Sequence, residues 1–236
     1  MDGTPRTHDD LRAAFPGAVS AECDGHGWVN VQLDGEDGIR SARCPACDHD
    51  RVVAAISSFI PPRFREPIGI PAEIRDWAAQ GRGAEGLYLA GPVGTGKTHA
   101  AWRALALWCE VTGTHPRGEG ITPYDRRSKP TVIFTRMTDL LDDLRPGDDA
   151  RQRVRDCQET GLLVLDDLGA EKASEWTQER LYSVIDHRYS ACLPLIVTGN
   201  LPPGKLAEQT GDRVASRLAE MCQVVPMTGS DRRRAA

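Results

Sequence analysis

The sequence has no long apolar run, few aromatic residues and no excess of basic charge. A membrane-spanning helix needs roughly 20 consecutive apolar residues, and no run approaches that length, while Met1–Arg6 lacks the apolar core of a signal peptide. We therefore expect a cytoplasmic protein without a membrane partner. Aromatic residues make up 6% of the chain and the net charge is −5, so a nucleic-acid contact must use a local basic patch.

The seven cysteines are an odd number in a chain without an export signal, which favours thiols and a metal site over disulfides. Four candidate zinc ligands near the N-terminus follow a CxxH and then a CxxC spacing: Cys23, His26, Cys44 and Cys47. A segment too small for a large core can gain its folding energy from zinc. The alternative is two unrelated turns, and three side chains are substitutes for His26 as the fourth ligand: His49, Asp24 and His8.

The stretch from Gly86 to Thr98 predicts a strand, a phosphate loop and the start of a helix. Gly91, Gly96, Lys97 and Thr98 match GxxxxGK[ST] in full. In such a loop, backbone amides hold a phosphate, the lysine contacts the β- and γ-phosphates, and the threonine hydroxyl can ligate Mg²⁺. A chance glycine-rich turn is the alternative, but the flanking strand and helix disfavour it. The predicted ATP contacts are Gly91, Pro92, Val93, Gly94, Thr95, Gly96, Lys97, Thr98 and His99.

A second apolar run, Gly161–Leu165, ends in the carboxylates Asp166 and Asp167. The carboxyl end of a parallel strand lies beside the phosphate loop, so Asp166 can hold the Mg²⁺ shell with Thr98, and Asp167 can orient or deprotonate the attacking water. Plain turns also carry paired carboxylates. The run that ends at Asn200 predicts a neighbouring strand, which would bring Thr198 or Asn200 near the γ-phosphate unless Asn200 only starts a turn.

Two groups of arginines are candidates for contacts with other molecules. Arg213 and Arg217 share one helix face, which suits an arginine finger that reaches a neighbouring subunit's nucleotide; a surface ion pair explains the spacing equally well. The densest basic cluster comprises Arg145, Arg151, Arg153 and Arg155. It predicts either a solvated helix face or phosphate contacts with DNA.

The apolar periodicity predicts an α/β protein. Helices are predicted near residues 52–60, 71–80, 97–113, 137–144, 176–189 and 214–221, and strands near 28–31, 87–89, 131–136, 161–167 and 193–200. Because Ile60–Pro71 is too rich in proline to continue a helix, we place a boundary there. The expected division is an N-terminal adaptor over residues 1–60, a linker over 61–72 and an ATP-binding domain over 73–236.

With these segments in order, the chain resembles the AAA+ ATPases of the DnaC-type replicative helicase loaders and the related IstB-type transposition helper proteins. The resemblance runs from about Ile60 to Arg233 and rests on GPVGTGKTHA, LLVLDDLG, LIVTGNL, the helix that ends at Arg188-Tyr189, and the arginine pair. It implies a P-loop NTPase of the AAA+ type, with a three-layer α/β/α parallel sheet, preceded by a small zinc-ribbon-like segment. An aspartate at the second carboxylate, as at Asp167, is common in these families.

The resemblance also implies roles for the site residues. Lys97 and Thr98 become Walker A residues, Asp166 and Asp167 become Walker B residues, and Asn200 becomes sensor 1. Arg217 is the better arginine finger, with Arg213 as second choice. The N-terminal region resembles the cysteine-bearing adaptor of some loaders, where CxxCxGxGW precedes a second cysteine pair; Ser20 stands here in place of the first cysteine.

The implied function is an ATP-driven loader or remodeller that binds ATP, Mg²⁺ and Zn²⁺. Its implied partners are a replicative DNA helicase, single-stranded DNA and further copies of the chain. The cysteine-bearing segment favours helicase loading over transposition assistance, since the transposition helpers usually carry a helical N-terminus. Two other classes stay open: a P-loop kinase of small molecules, and an adaptor that binds ATP without hydrolysing it.

Overall fold

The computed structural model describes residues 11, 13–35, 38–117, 130–145, 150–169, 175–201 and 205–228. The N-terminal part is a three-stranded antiparallel sheet in the order β1-β2-β3, followed by a long helix. Its elements are β1 (Ala18–Cys23), β2 (Trp28–Leu33), β3 (Arg40–Arg43) and α1 (Pro45–Phe59). The predicted strand at 28–31 is therefore confirmed as the middle strand of this small sheet.

The remaining elements alternate between helix and strand. The helices are α2 (Ala72–Ala79), α3 (Lys97–Thr112), α4 (Met137–Asp143), α5 (Ala150–Glu159), α6 (Glu175–Ser190), α7 (Ala207–Thr210) and α8 (Asp212–Met221). The strands are β4 (Gly86–Ala90), β5 (Val132–Arg136), β6 (Leu162–Leu168), β7 (Leu195–Gly199) and β8 (Cys222–Pro226). All neighbouring strands pair in parallel, in the order β5-β6-β7-β4-β8.

Helices cover both faces of this parallel sheet, which confirms the three-layer prediction. Successive strand residues point to opposite faces, and in β4 the side chains of Leu87 and Leu89 join one core while Tyr88 joins the other. The first core contains α1, α2 and α3, and the second contains α4, α5, α6 and α8. The three central strands, β4, β6 and β7, are buried over nearly their whole length and are largely apolar, as parallel strands covered on both faces require.

Helix α1 begins earlier than the sequence predicts. We expected a helix from Val52, whereas it begins at Pro45, directly after Cys44. Proline suits this first helical position, since its missing N–H group needs no acceptor there. The CxxC pair therefore lies at the start of a helix.

The C-terminal half of α1 packs on the phosphate-loop helix α3. Val52 and Ile56 belong to the same buried core as the residues of α3. Around Trp102, the ring centroid of Phe59 lies 5.9 Å away edge-on, and that of Phe134 on β5 lies 3.7 Å away in a parallel stack. The division of the chain at residues 60 and 72 stays a prediction, and the packing across it is apolar.

Arg188 on α6 holds the end of α5 beside the start of β7. The side chain is fully buried, and its Nη1 donates to the carbonyls of Cys157 at 3.0 Å and Thr160 at 2.9 Å, while Nη2 donates to that of Pro194. Burial lowers the pKa of Arg188 to about 10. The last carbonyls of a helix lack intrahelical donors, so Arg188 supplies them from another element.

Within the described ranges, no helix combines the length and the apolar character that crossing a bilayer requires.

Candidate nucleotide-binding and catalytic site

The phosphate loop lies between β4 and α3, as predicted. Gly96 precedes the helix with a φ of 89°, in the left-handed region that glycine adopts without strain. At Gly91, a Cβ atom would collide with the backbone carbonyl of Met227, so only glycine fits beside β8. Thr95 closes the loop internally, because its hydroxyl donates to the Pro92 carbonyl at 2.9 Å. Pro92 and Val93 are exposed at the tip.

Lys97 lies under this loop with its ammonium held by oxygen atoms of the chain. Its Nζ donates to the carbonyls of Gly91 at 2.8 Å and Pro92 at 2.9 Å, and to the side-chain oxygen of Asn200 at 2.8 Å. Only 8% of Lys97 is exposed. The predicted Walker A lysine and the predicted sensor residue therefore meet in the folded chain.

Asp166 at the end of β6 faces the first turn of α3. The Thr98 hydroxyl lies 3.0 Å from Asp166 Oδ1 and 3.1 Å from Oδ2, and the Thr198 hydroxyl donates to Oδ1 at 2.7 Å. Burial raises the pKa of Asp166, although hydrogen bonds from the two threonines oppose the shift. A carboxylate and a hydroxyl at this spacing are the hard oxygen ligands that Mg²⁺ prefers, so the residues present fit a magnesium site.

Asp167 is exposed beside Asp166 and faces Asn200. It has a φ of 63°, which is uncommon for a residue other than glycine. The Asn200 side-chain nitrogen lies 3.5 Å from Asp167 Oδ1. Both side chains are exposed at the rim of the phosphate loop, where a water molecule can reach them.

His99, the last of the predicted ATP contacts, turns toward the linker. Its Nε2 lies 2.7 Å from the Glu66 carbonyl, and its ring meets the Phe64 ring edge-on with centroids 5.6 Å apart. The side chain is partly buried. In this structure His99 therefore joins α3 to the segment before α2.

Arg213 and Arg217 lie on the surface that α6 and α8 form together. Arg217 Nε lies 3.0 Å from Asp186 Oδ1, and its Nη1 lies 3.2 Å from Glu220 Oε2. The Arg213 guanidinium stacks on the Tyr182 ring at 4.2 Å and is exposed. The interactions described for both arginines are thus with α6 and α8.

The basic cluster around α5 is largely paired with polar neighbours. Arg145 lies 3.0 Å from Asp142, and Arg153 lies 3.1 Å from Asp143. Arg155 donates to Gln152 at 2.7 Å. These pairs favour the interpretation as a solvated helix face over a DNA contact.

Three of the four predicted zinc ligands come together. The thiols of Cys23, Cys44 and Cys47 all lie within 4.8 Å of one another and are buried, and the Cys23 and Cys47 sulfurs are 3.4 Å apart. Sulfur atoms around one zinc ion stand about 3.8 Å apart, given a Zn–S distance of about 2.3 Å, so the donor set fits three positions of a tetrahedral site. Burial raises the pKa of the Cys47 thiol to about 12.

The prediction of His26 as the fourth ligand needs correction. The Asp24 carboxylate accepts the backbone N–H groups of His26 at 2.7 Å and Trp28 at 3.1 Å, and this turn leaves the His26 side chain exposed, outside the cysteine cluster. Asp24 and His49 are also outside the cluster of described ligand atoms. The remaining substitute, His8, lies outside the described residues.

The sequence analysis missed the double contact of Thr198 and the buried position of Arg188. The sequence predicts Thr198 only as a direct contact of the γ-phosphate. It contains Arg188 only as the end of a helix that resembles those of the loader families. A single threonine at the end of a strand and a single arginine in a helix carry no local pattern that could have shown these contacts.

Comparison with known proteins gives one family match and one curated relative. The family model of the IstB-like ATP binding protein matches residues 79–236. An insertion-sequence protein of Mycobacterium tuberculosis, whose name describes it as ATP-binding, is 33% identical over 122 residues. That match spans 50% of this chain and 42% of the relative, so the chain corresponds to less than half of that protein's length.

Solved structures share the fold at low sequence identity. The DnaC helicase loader has a TM-score of 0.55 and 24% identity, over 71% of this chain and 100% of that chain. DnaI has a TM-score of 0.54 and 19% identity, over 74% and 94% of the two chains. The replication initiator DnaA bound to AMPPCP and single-stranded DNA has a TM-score of 0.56 and 21% identity, over 73% and 52%.

These structural matches establish a P-loop AAA+ fold, in agreement with the strand order and the phosphate loop described above. Since the family model covers most of the sequence, the chain belongs to the IstB-like ATP-binding protein family.

Proposed function

We propose that this protein hydrolyses ATP in an Mg²⁺-dependent reaction. The observation that carries the proposal is the meeting of Thr98 and Asp166, with hydroxyl and carboxylate oxygens 3.0 Å apart beside a complete phosphate loop. These two side chains hold the magnesium ion, which neutralises charge on the β- and γ-phosphates when it is bound. Membership of the IstB-like ATP-binding protein family and the shared AAA+ fold support the same conclusion.

Each residue of the site has one task in this reaction. Lys97 leaves its present oxygen acceptors and contacts the phosphates. Asp167 takes a proton from the attacking water or orients it, since its carboxylate is exposed next to Asn200. Asn200 positions that water and stays near Lys97. Arg217, or Arg213 in its place, comes from a neighbouring copy and neutralises charge in the transition state.

The hydrolysis drives the loading or remodelling of a replicative DNA helicase on single-stranded DNA. ATP binding orders neighbouring copies of the chain, DNA and partner stabilise that assembly, and hydrolysis releases it. The fold that the chain shares with a helicase loader supports this choice. The N-terminal cysteine segment, which zinc stabilises through Cys23, Cys44 and Cys47, is the part that grips the helicase.

Transposition assistance is the second candidate. The family match and the insertion-sequence relative favour it. Under this alternative the ATP site works in the same way, and the partner is a transposase in place of a helicase.

The test begins with the wild-type chain and its Lys97→Ala variant. We expect ATP hydrolysis that single-stranded DNA stimulates, and no nucleotide binding by the variant. Stimulation by a small hydroxyl compound and not by DNA would identify a kinase. Nucleotide binding without turnover, with both DNA and partner present, would identify an adaptor.

A pull-down then separates the two partners. The wild-type chain is presented in parallel with a purified replicative helicase and with a purified transposase from an insertion sequence. Helicase capture that the double variant Cys44→Ser/Cys47→Ser loses would support a loader, while capture of the transposase alone would support a transposition helper.

A further inference from the structure

Strand β6 contains one extra residue at the two site carboxylates. Leu165 pairs with Val197, and the next pair in the ladder is Leu168 with Gly199, so three steps on β6 match two steps on β7. This is a β-bulge, and it falls on Asp166 and Asp167. A bulge bends a strand and changes the direction of its side chains, which is why bulges are common beside active sites.

The bulge forces Asp167 into a left-handed backbone conformation. Its φ of 63° is one of two positive values among the described residues other than glycine. Such a conformation is unfavourable for a residue other than glycine and persists only where the surroundings fix it. The extra residue also leaves a backbone N–H group without a ladder partner, and a buried donor of this kind needs an acceptor.

Thr198 on β7 supplies that acceptor. Its hydroxyl oxygen accepts the Asp167 N–H at 2.9 Å, and the same hydroxyl donates its proton to Asp166 Oδ1 at 2.7 Å. Only 1% of Thr198 is exposed. A hydroxyl has one proton and two lone pairs, so these two bonds fix the direction of its O–H group and occupy its single donor.

The contact anchors the Asp166 carboxylate to β7. Oδ1 accepts the Thr198 hydroxyl proton at 2.7 Å, and both carboxylate oxygens lie near the Thr98 hydroxyl, Oδ1 at 3.0 Å and Oδ2 at 3.1 Å. Thr198 therefore restricts the rotation of the carboxylate and keeps it facing Thr98, the predicted magnesium ligand. The same atom holds the bulge that directs Asp167 toward Asn200.

We propose that Thr198 is a positioning residue of the ATPase site, whose hydroxyl sets the orientation of both Walker B carboxylates. The proposal rests on the proposed ATP hydrolysis. Thr198 itself is buried, and its hydroxyl contacts the Asp166 carboxylate and the Asp167 backbone. Its effect reaches the reaction through the orientation of Asp166 toward Mg²⁺ and of Asp167 toward the attacking water.

The test compares Thr198→Val, which keeps the shape and loses the hydroxyl, with Thr198→Ser, which keeps the hydroxyl. Thr135→Val is the matched control. Thr135 is a buried threonine on the edge strand β5, level with Val197, the residue before Thr198, and its hydroxyl lies 3.3 Å from the Arg136 carbonyl. Three quantities are measured: the Mg²⁺ concentration that half-saturates binding of a fluorescent ATP analogue, the kcat for ATP hydrolysis, and the Tm. Thr198→Ala serves as the hydroxyl-free variant if Thr198→Val does not fold.

For the hydroxyl-free variant we expect at least a fivefold rise in the half-saturating Mg²⁺ concentration and at least a tenfold fall in kcat. Affinity for the analogue without Mg²⁺ should stay within threefold of wild type. In Thr198→Ser and Thr135→Val, the half-saturating Mg²⁺ concentration and the kcat should stay within threefold of wild type, and the Tm should stay close to that of wild type. Wild-type Mg²⁺ dependence in the hydroxyl-free variant would overturn the proposal, and so would equal losses in Thr198→Ser, because packing alone would then explain them.

The same measurements keep this inference separate from the proposed function. If the wild-type chain binds the analogue without any dependence on Mg²⁺ and hydrolyses no ATP, the proposed function itself is wrong. If the wild-type chain is active and the hydroxyl-free variant matches it, only the role of Thr198 is wrong.

Discussion

Lys97 donates a hydrogen bond of 2.8 Å to the side-chain oxygen of Asn200, which joins the phosphate loop to the residue that follows β7. The two residues are 103 positions apart in the sequence. Parallel pairing of β4 with β7 brings them together, since the carboxyl ends of both strands lie at one edge of the sheet. When a nucleotide enters the loop, its phosphate oxygens must therefore replace the oxygen atoms that now accept hydrogen bonds from Lys97.

The first prediction concerns Asn200→Ala. Loss of the amide leaves Lys97 with its two carbonyl acceptors and removes the side chain that faces Asp167. We expect nucleotide affinity within threefold of wild type and a kcat at least tenfold lower, because Asn200 orients water and contributes little to phosphate binding. Equilibrium binding of a fluorescent ATP analogue and steady-state hydrolysis check this, with the exposed Asn30→Ala on β2 as control. An unchanged kcat would remove Asn200 from the catalytic site.

The second prediction concerns the thermal stability of the ligand-free protein, which the buried, ionised carboxylate of Asp166 lowers. Burial raises the pKa of this carboxyl, so the folded chain binds its proton more tightly than the unfolded chain does. Stability is then lost as pH rises from the ordinary carboxyl value through the raised pKa. Asp166→Asn should raise the Tm of the ligand-free protein by about 2–4 °C, which corresponds to roughly 1 kcal/mol for a chain of this size.

Thermal unfolding at pH 7.5 without Mg²⁺ or nucleotide measures this difference. Asp167→Asn is the control, since Asp167 is exposed and asparagine tolerates its left-handed backbone. A lower Tm for Asp166→Asn than for wild type would show that the charged carboxylate stabilises the ligand-free fold.

The third prediction concerns the arginine finger. Arg217 is paired with Asp186 and Glu220 within its own chain, so it must exchange these partners to reach a neighbour's nucleotide. We expect Arg217→Ala to bind ATP normally and to lose at least a hundredfold in kcat, in line with other arginine fingers. Arg213→Ala should lose less.

A mixing experiment tests whether the arginine acts between copies. Lys97→Ala lacks an ATP site but carries the arginine, and Arg217→Ala lacks the arginine but carries the ATP site. Each variant alone should be inactive, and an equimolar mixture should regain measurable hydrolysis. No recovery in a mixture that still assembles would contradict action in trans.

The fourth prediction concerns Arg188. Its replacement by methionine removes the guanidinium donors to the carbonyls of Cys157, Thr160 and Pro194, and a buried acceptor that loses its donor costs roughly 1–3 kcal/mol. The Pro194 carbonyl keeps the Leu163 N–H at 3.4 Å. We expect a loss of about 3 kcal/mol or more in the free energy of unfolding, measured by urea denaturation. Arg188→Lys should recover only part of it, because an ammonium cannot reproduce the planar fork of donors. The exposed Arg155→Met serves as control, and equal midpoints for the two methionine variants would refute the role of Arg188.

The fifth prediction concerns zinc. The purified chain should contain about one zinc ion, measured by mass spectrometry, and Cys44→Ser/Cys47→Ser should lose it, because the variant retains one of the three clustered thiols. Chelation should lower the Tm of the wild-type chain, since the small sheet gains folding energy from the metal. Cys192→Ser, which removes an exposed cysteine outside the cluster, should keep the zinc. A metal-free wild-type chain with an unchanged fold would exclude a structural zinc site.

Local patterns in the sequence predict the phosphate loop, its helix and the acidic end of β6, because each depends on residues close together in the chain. The spacing of Gly91, Gly96 and Lys97 requires one backbone shape, and the apolar run before Asp166 requires a buried strand. The structure confirms both elements. The three-layer parallel sheet follows from the family resemblance, whereas its strand order is known only from the structure.

Other features depend on contacts between distant segments, so local sequence patterns do not predict them. The bulge at Asp166 and Asp167 exists only relative to the register of β7. The exposure of His26 follows from a turn in which the Asp24 carboxylate accepts backbone N–H groups. The spacing of the candidate zinc ligands does not predict this turn. Helix α1 begins at Pro45 rather than at the predicted Val52, and proline suits a first helical turn.

Helix α1 limits where the chain can be cut. Its first turn contains Cys47 and directly follows Cys44, two of the clustered cysteines. Its other half buries Val52 and Ile56 against the helix that follows the phosphate loop. A shortened chain that starts at Pro61 would uncover an apolar groove along that helix, including one side of Trp102. Biochemists who separate the two halves should therefore retain α1 with the ATPase half, or expect an aggregating product.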